Sequence, residues 1–150
     1  TPKPSSAASD VYKRQPPPAE AKACEWAAAA NGMVGLESAL RVVDEAMVQT
    51  GMLEWTDVAR VLSAAPARIG GLADQGRPLA AGEPANIVFY DASAAGTFEA
   101  ADLQGRSTNS PYLGRALTGR VVHTVFRGFL TLEDGALADP EAASAAGAAR

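Results

Sequence analysis

An α/β chain, helical in its first half and stranded in its second, is what this sequence predicts, and three observations predict it. The stretch Ser63 to Asp91, SAAPARIGGLADQGRPLAAGEPANIVFYD, reads as a change of architecture. A short helix opens at Pro66, where the missing N–H is tolerated in a first turn, and stops at Gly70-Gly71. A glycine-punctuated turn from Gly76 to Gly82 then leads to the apolar, β-rich run Ala85 to Tyr90. Before this stretch, Leu36, Leu40, Val43 and Met47 fall at helical spacing, with Glu37, Arg41, Asp44 and Glu45 off the stripe. After it come short β-forming runs at Ile87 to Tyr90, Thr97 to Glu99, Arg120 to Phe126 and Phe129 to Leu132.

Taken in order, the chain begins with a segment set aside from fold reasoning. Ser5 to Gln15, SSAASDVYKRQ, resembles a translated sequencing adapter, and as adapter or as natural tail it predicts a disordered leader over residues 1–18. Pro16-Pro17-Pro18 is stiff and extended. Ala19 to Ala30 has helix-forming composition but little to bury except Trp26, so it reads as a loop with some helix that breaks at Asn31-Gly32. The Leu36–Met47 stripe predicts a core-facing helix ending near Thr50-Gly51. Thr56 reads as the N-cap of a second helix, Asp57 to Leu62, with Asp57 where the helix dipole favours an acid. Asp102 to Gly119 reads as a long loop, and Asp134-Gly135 as a tight turn after the last strand. The alanine-rich tail, residues 139–150, has no apolar period and predicts fraying.

Composition excludes several classes. A net charge of −4 argues against nucleic acid or an anionic membrane surface as partner. No apolar run approaches a membrane span, and residues 1–15 lack a signal-peptide core, so the expected location is cytoplasmic. The single cysteine, Cys24, permits no internal disulfide and has no histidine near it in sequence to activate it. His123, between Val122 and Thr124, reads as a sheet-surface side chain rather than a ligand. Gly76, Gly82 and Gly119 read as turn residues, since no strand-GxGxxG-helix context surrounds them.

Pro66-Ala67-Arg68-Ile69, Gly71-Leu72, Gly76, Gly82, Ala85 and a strand ending at Asp91 together resemble the C-terminal signature of the amidohydrolase superfamily. Asn86 stands where that pattern often has an acid. Two further segments narrow the resemblance. One is Glu25-Trp26 followed by Asn31-Gly32-Met33-Val34-Gly35-Leu36-Glu37; the other is Arg106-Ser107-Thr108-Asn109-Ser110-Pro111-Tyr112-Leu113-Gly114. With Leu117, Gly119, Val121, Thr124, Arg127-Gly128 and Asp134-Gly135, they are similar to the closing part of class I dihydroorotases, especially the actinobacterial kind. The likeness runs collinearly from about Ala19 to Ala138.

That resemblance implies the C-terminal end of an amidohydrolase TIM barrel, its last helices over residues 19–75, followed by strands of a small β-sandwich domain over residues 76–138. It implies a parent enzyme that interconverts N-carbamoyl-L-aspartate and dihydroorotate in pyrimidine synthesis, with zinc as cofactor and a barrel aspartate moving the proton. Its partners would be that small-molecule substrate and, for the parent, a second copy or an aspartate transcarbamoylase. Family members offer backbone groups to the substrate just ahead of the Gly-Leu-Glu; these map to Ala30, Asn31 and Gly32, against the plainer reading of Asn31-Gly32 as a turn. Arg68 is expected to cap carbonyls or pair with an acid where helix and sandwich meet.

A catalytic zinc site takes three protein ligands and an open position, and this chain has one histidine and one cysteine far apart. The expectation is a chain with no catalytic residue and no metal ligand of its own. A barrel cut short would also leave the Leu36–Met47 face uncovered. Three alternatives stay open: an allantoinase- or dihydropyrimidinase-like cyclic amidohydrolase, a non-catalytic homologue that scaffolds aspartate transcarbamoylase, and a free-standing β-rich binding module.

Overall fold

The computed structural model describes residue 20, residues 23–29 and residues 32–139. The leader, residues 1–18, and residues 140–150 of the tail lie outside the described residues, as do Ala30 and Asn31. In chain order a 3₁₀ turn (Trp26–Ala28) precedes α1 (Leu36–Val43), which continues into a π-helical turn (Asp44–Val48). Next come α2 (Trp55–Ala59), a second π-helical turn (Arg60–Ala64) and α3 (Ala65–Ile69). The rest is β1 (Ile87–Thr97), a 3₁₀ turn (Ala100–Asp102), β2 (Ala116–Phe126), β3 (Phe129–Glu133) and β4 (Ala136–Leu137). The strands form one sheet in the order β1-β2-β3-β4, with β2–β3 and β3–β4 antiparallel.

The α/β order is as expected; several boundaries are not. Residues 55–69 form one helical run rather than two helices, and its N-cap is Glu54, not Thr56. Asp57 lies one turn in and accepts the Glu54 N–H at 3.4 Å, a back-bond that Thr56, already inside the helix, cannot replace. Pro66 does not open a new helix. The Ala65 N–H bonds back to Arg60 O, a π-type step placed immediately before the proline. A looser turn there accommodates the missing donor and the ring's clash with the preceding turn. The stop falls where expected. Leu72 N–H returns to Ala67 O at 2.9 Å and Gly71 N–H to Arg68 O at 3.3 Å, with Gly71 at φ 67°, which is a Schellman ending.

The two short strands expected around residues 87–99 are one, β1, which runs to Thr97; Glu99 instead precedes the 3₁₀ turn, its N–H bonded to Asp102 Oδ2 at 2.8 Å. The expected tight turn at Asp134-Gly135 is present, and Arg127-Gly128 makes a second. Phe126 pairs with Phe129 across Arg127-Gly128 (φ 51° and 84°), and Glu133 with Ala136 across Asp134-Gly135 (φ 49° and 80°). Two positive φ angles in each two-residue loop define type I′ hairpins, whose twist matches that of the strands.

The chain divides into two compact units, Thr1–Val42 with Gly96–Leu117, and Val43–Ala95 with Thr118–Arg150. In the first, Val34, Phe98, Leu103 and Leu117 form the core, with Val42, Tyr112 and Leu113 packed against it. Phe98 is held by both backbone groups, its N–H to Arg115 O and its C=O from Gly114 N, each at 2.9 Å. The Arg41 guanidinium donates to Gly96 O at 2.8 Å and to Leu117 O. Trp26, the side chain expected to be buried in its segment, is exposed.

In the second unit the buried polar group is Asp44, which accepts the Tyr90 hydroxyl at 2.8 Å. Trp55 packs on the Tyr90 ring, centroids 5.1 Å apart. Gly119, at φ 80°, faces both: a methyl there would overlap the Tyr90 hydroxyl and stand 3.0 Å from Asp44 Oδ2. Here glycine is required by space as well as by backbone angle. Gly76 is similarly confined, its absent Cβ lying 2.8 Å from Ala64 Cα. Asp74, Asn86 and Arg127 join the α3–β1 connection to the β2–β3 hairpin. Asn86 Nδ2 donates to Asp74 O at 3.2 Å, its Oδ1 accepts the Arg127 N–H at 2.9 Å, and the Arg127 guanidinium pairs with the Asp74 carboxylate. An acid at position 86 could accept but not donate; asparagine does both.

The Leu36–Met47 stripe is not the core-facing side expected of it. Leu36 is 80% exposed and Met47 38%, whereas Ser38 and Asp44 are buried. The polar residues are accommodated because each finds a partner, Ser38 Oγ at Gly35 O (3.3 Å) and Asp44 at Tyr90. Of the apolar stripe, Leu40 and Val43 at its middle are half-buried, and Leu36 and Met47 at its ends are exposed.

Gly119→Ala is expected to lower the denaturation midpoint by about 2–4 kcal/mol in stability terms. Gly82→Ala shares the positive φ but meets open space and should cost about 1 kcal/mol; equal losses by urea titration would contradict the packing at Gly119. The Arg127 guanidinium holds the Asp74 carboxyl below the ordinary carboxylate range. A depressed folded-state pKa stabilises above about pH 4 and loses that contribution as pH falls further. Asp74→Asn should therefore be less stable than the unsubstituted chain at pH 7, with the gap narrowing at pH 3 in paired denaturation curves.

Candidate functional site

Of the residues expected to face a substrate, Ala30 and Asn31 lie outside the described residues, and Gly32 is within them. Gly32 has φ 101°, a conformation that side-chain-bearing residues avoid. Its carbonyl accepts Asn109 Nδ2 at 3.1 Å, and two residues on the Val34 N–H donates to Asn109 O at 2.8 Å. A single residue thus holds the Gly32–Val34 backbone with its side chain and its main chain together. Val34 carries on into the core of the first unit.

The Ser107 to Tyr112 run that supplies Asn109 is braced by its own hydroxyls. Ser107 Oγ accepts the Asn109 N–H at 3.3 Å, Ser110 Oγ accepts the Tyr112 N–H at 3.3 Å, and Ser110 N–H donates to Thr108 O at 2.8 Å. Short polar side chains that accept backbone N–H groups two residues on fix a loop without regular structure. The Arg115 guanidinium lies over the Tyr112 ring, 5.7 Å from its centre. After Gly35, Glu37 Oε1 accepts the Gln104 N–H at 3.2 Å, and its Oε2 is buried with no hydrogen-bond partner among the described residues.

Chemically, this arrangement presents backbone groups at a glycine. Asn109 is the residue that sequence reasoning missed. The motif drew attention to it, but its partner lies 77 positions away, and nothing in one sequence reports such a pairing.

His123 sits mid-strand in β2, its Nδ1 accepting the Asp134 N–H at 3.3 Å, its Nε2 3.6 Å from Asp134 Oδ1, with Phe89 edge-on at 5.9 Å. Cys24 is exposed. Among the described residues, no three His, Cys, Asp or Glu side chains gather closely enough to hold a metal ion. A zinc site does not fit the donors present. Arg68 is exposed in the last turn of α3; the pairing with an acid expected of it is made by Arg127 with Asp74, because the hairpin turn brings Arg127 to that carboxylate. An open cleft of about 330 Å³ in the second unit is lined by residues 77–81 and 83–87, including Leu79, Pro84 and Ile87. Its charged side chains, Arg77 and Glu83, are engaged with each other, and that pairing depresses the Glu83 carboxyl. Among the described residues no helix is long and apolar enough to cross a membrane.

No protein-family model matches the chain. It is 59% identical over 122 residues to the dihydroorotase of Leifsonia xyli subsp. xyli and 56% identical over 122 residues to that of Streptomyces coelicolor, in each case covering 81% of this chain. The chain spans about 28% of the length of those relatives. Its fold is similar to an L-hydantoinase (dihydropyrimidinase) from Arthrobacter aurescens, with TM-score 0.67 and 28% identity over 74% of this chain and 25% of that one. At 59% and 56% identity over 81% of its length, this chain is a homologue of the dihydroorotases, matching about 28% of each.

Proposed function

We propose that this chain is the C-terminal segment of a dihydroorotase whose whole protein interconverts N-carbamoyl-L-aspartate and dihydroorotate. The observation that carries the reading is the 59% identity over 122 residues. Similarity to hydantoinases is lower, 28% for the one from Arthrobacter aurescens, which favours dihydroorotate over hydantoins as the substrate ring. On this reading residues 19–75 are the last helices of a TIM barrel and residues 76–138 a small β-sandwich. A helical run up to Ile69 followed by a four-stranded sheet supports that division.

The backbone of Ala30, Asn31 and Gly32 is the segment that meets substrate. Support comes from Gly32, where a left-handed backbone angle and the absence of a Cβ leave the main chain open to close approach. Zinc in the whole protein would polarise the scissile carbonyl and activate water. This chain's His123 is engaged with Asp134 and Phe89, so the metal's ligands and the catalytic acid belong to residues other than those described, and no step of the chemistry is assigned to this chain. The partners of the whole protein on this reading are its small-molecule substrate and a second copy or an aspartate transcarbamoylase. Neither nucleic acid nor membrane suits the charge of −4, and a cytoplasmic location follows from the metabolic role.

The purified chain is expected to hold far less than one zinc per molecule and to hydrolyse dihydroorotate no faster than a blank. The uninterrupted protein recovered from the source DNA should hydrolyse dihydroorotate in preference to allantoin and hydantoin. Stoichiometric zinc with turnover in the chain alone, or a preference for hydantoin in the whole protein, would overturn this reading.

A further inference from the structure

We propose that Asn109 is a positioning residue for substrate binding, acting through the backbone at Gly32; this rests on the reading above. The geometry is a two-point grip. Asn109 Nδ2 donates to Gly32 O (3.1 Å) while Asn109 O accepts Val34 N–H (2.8 Å), so one residue fixes an outgoing carbonyl and an N–H two positions on. Only Met33 lies between, 48% exposed. Val34 is anchored in the core cluster with Phe98, Leu103 and Leu117, and Asn109 is itself braced at its N–H by Ser107 Oγ. The grip therefore connects a rigid interior to the residue that is free to approach a ligand.

Fixing the Gly32 carbonyl sets the plane of the peptide that follows, and the Gly32 φ of 101° is one of the two torsions that relate that plane to the Gly32 N–H. A substrate carboxylate or ring carbonyl that accepts this N–H is then met by a donor already aimed, and less ordering accompanies binding. Asparagine is required because the side chain must donate. An aspartate of the same shape would place a carboxylate oxygen against the Gly32 carbonyl, converting attraction to repulsion at one point while leaving the Val34 bond intact. Because Asn109 touches the backbone and not the reacting atoms, its loss should act on binding more than on the chemical step.

The test uses the uninterrupted protein, with dihydroorotate as substrate and denaturation midpoints measured alongside. Asn109→Asp should raise KM about tenfold, the equivalent of one well-placed hydrogen bond, with kcat changed less than about twofold. Asn86→Asp removes a comparable side-chain-to-backbone bond, to Asp74 O, and should lower the midpoint while leaving KM unchanged. Should Asn109→Asp fail to fold, Ser107→Ala removes the Ser107 brace on Asn109 and should raise KM about two- to threefold with kcat held. An active protein in which these position-109 or position-107 variants leave KM unchanged, or in which Asn86→Asp raises KM as much, overturns the inference alone. An unsubstituted protein that does not act on dihydroorotate overturns the functional reading and the inference with it.

Discussion

A carboxylate removed from water must be met by a donor, and Asp44 is met by the Tyr90 hydroxyl. Much of the second unit is arranged to permit that bond. Tyr90 reaches Asp44 because residue 119 lacks a side chain, and the Tyr90 ring is held at its face by Trp55. Remove the hydroxyl and a buried carboxyl loses the hydrogen bond that Tyr90 gives it, which costs about 1–3 kcal/mol. Remove the space and the ring cannot enter. The first unit repeats the principle with the opposite charge, as the Arg41 guanidinium gathers the Gly96 and Leu117 carbonyls, leaving its Nε buried without a partner among the described residues. Both units thus depend on polar groups that are costly to bury and more costly to strand.

This explains why reading α1 by its apolar stripe misjudged what is inside. Periodicity identified a helix and ended it close to the right place, since Leu36, Leu40, Val43 and Met47 are spaced as only a helix would use them. Burial is a separate matter. It is decided by which side chains can be satisfied where the helix lands, and Ser38 and Asp44 were satisfied by groups that periodicity does not count. Leu36 remains 80% exposed while Leu40 and Val43 are half-buried, so the described residues cover the middle of the hydrophobic face and leave its ends open.

Local grammar was legible where the partners were local. The Gly70-Gly71 stop and the Asp134-Gly135 turn follow from glycine and turn chemistry within a few residues, and they stand where expected. Thr56 and Pro66 misled because the helix start used a longer side chain at Glu54 and because a π turn absorbed the proline. The site was legible as a motif and not as a mechanism. Gly32 could be singled out from its place ahead of Gly-Leu-Glu, but its bond to Asn109 spans 77 positions, and Arg127 reaches Asp74 across 53. Such pairings are set by topology, which one sequence encodes only in aggregate.

That disparity of reach also orders events in time. Phe126 meets Phe129, and Glu133 meets Ala136, across loops of two residues, and isolated hairpins of this kind close within about 1–10 μs. The Asn109–Gly32 bond must wait until a far longer stretch of chain has been drawn together, against a closure entropy that grows with its length. The two hairpins are therefore expected to close before Asn109 takes hold of the glycine ahead of α1.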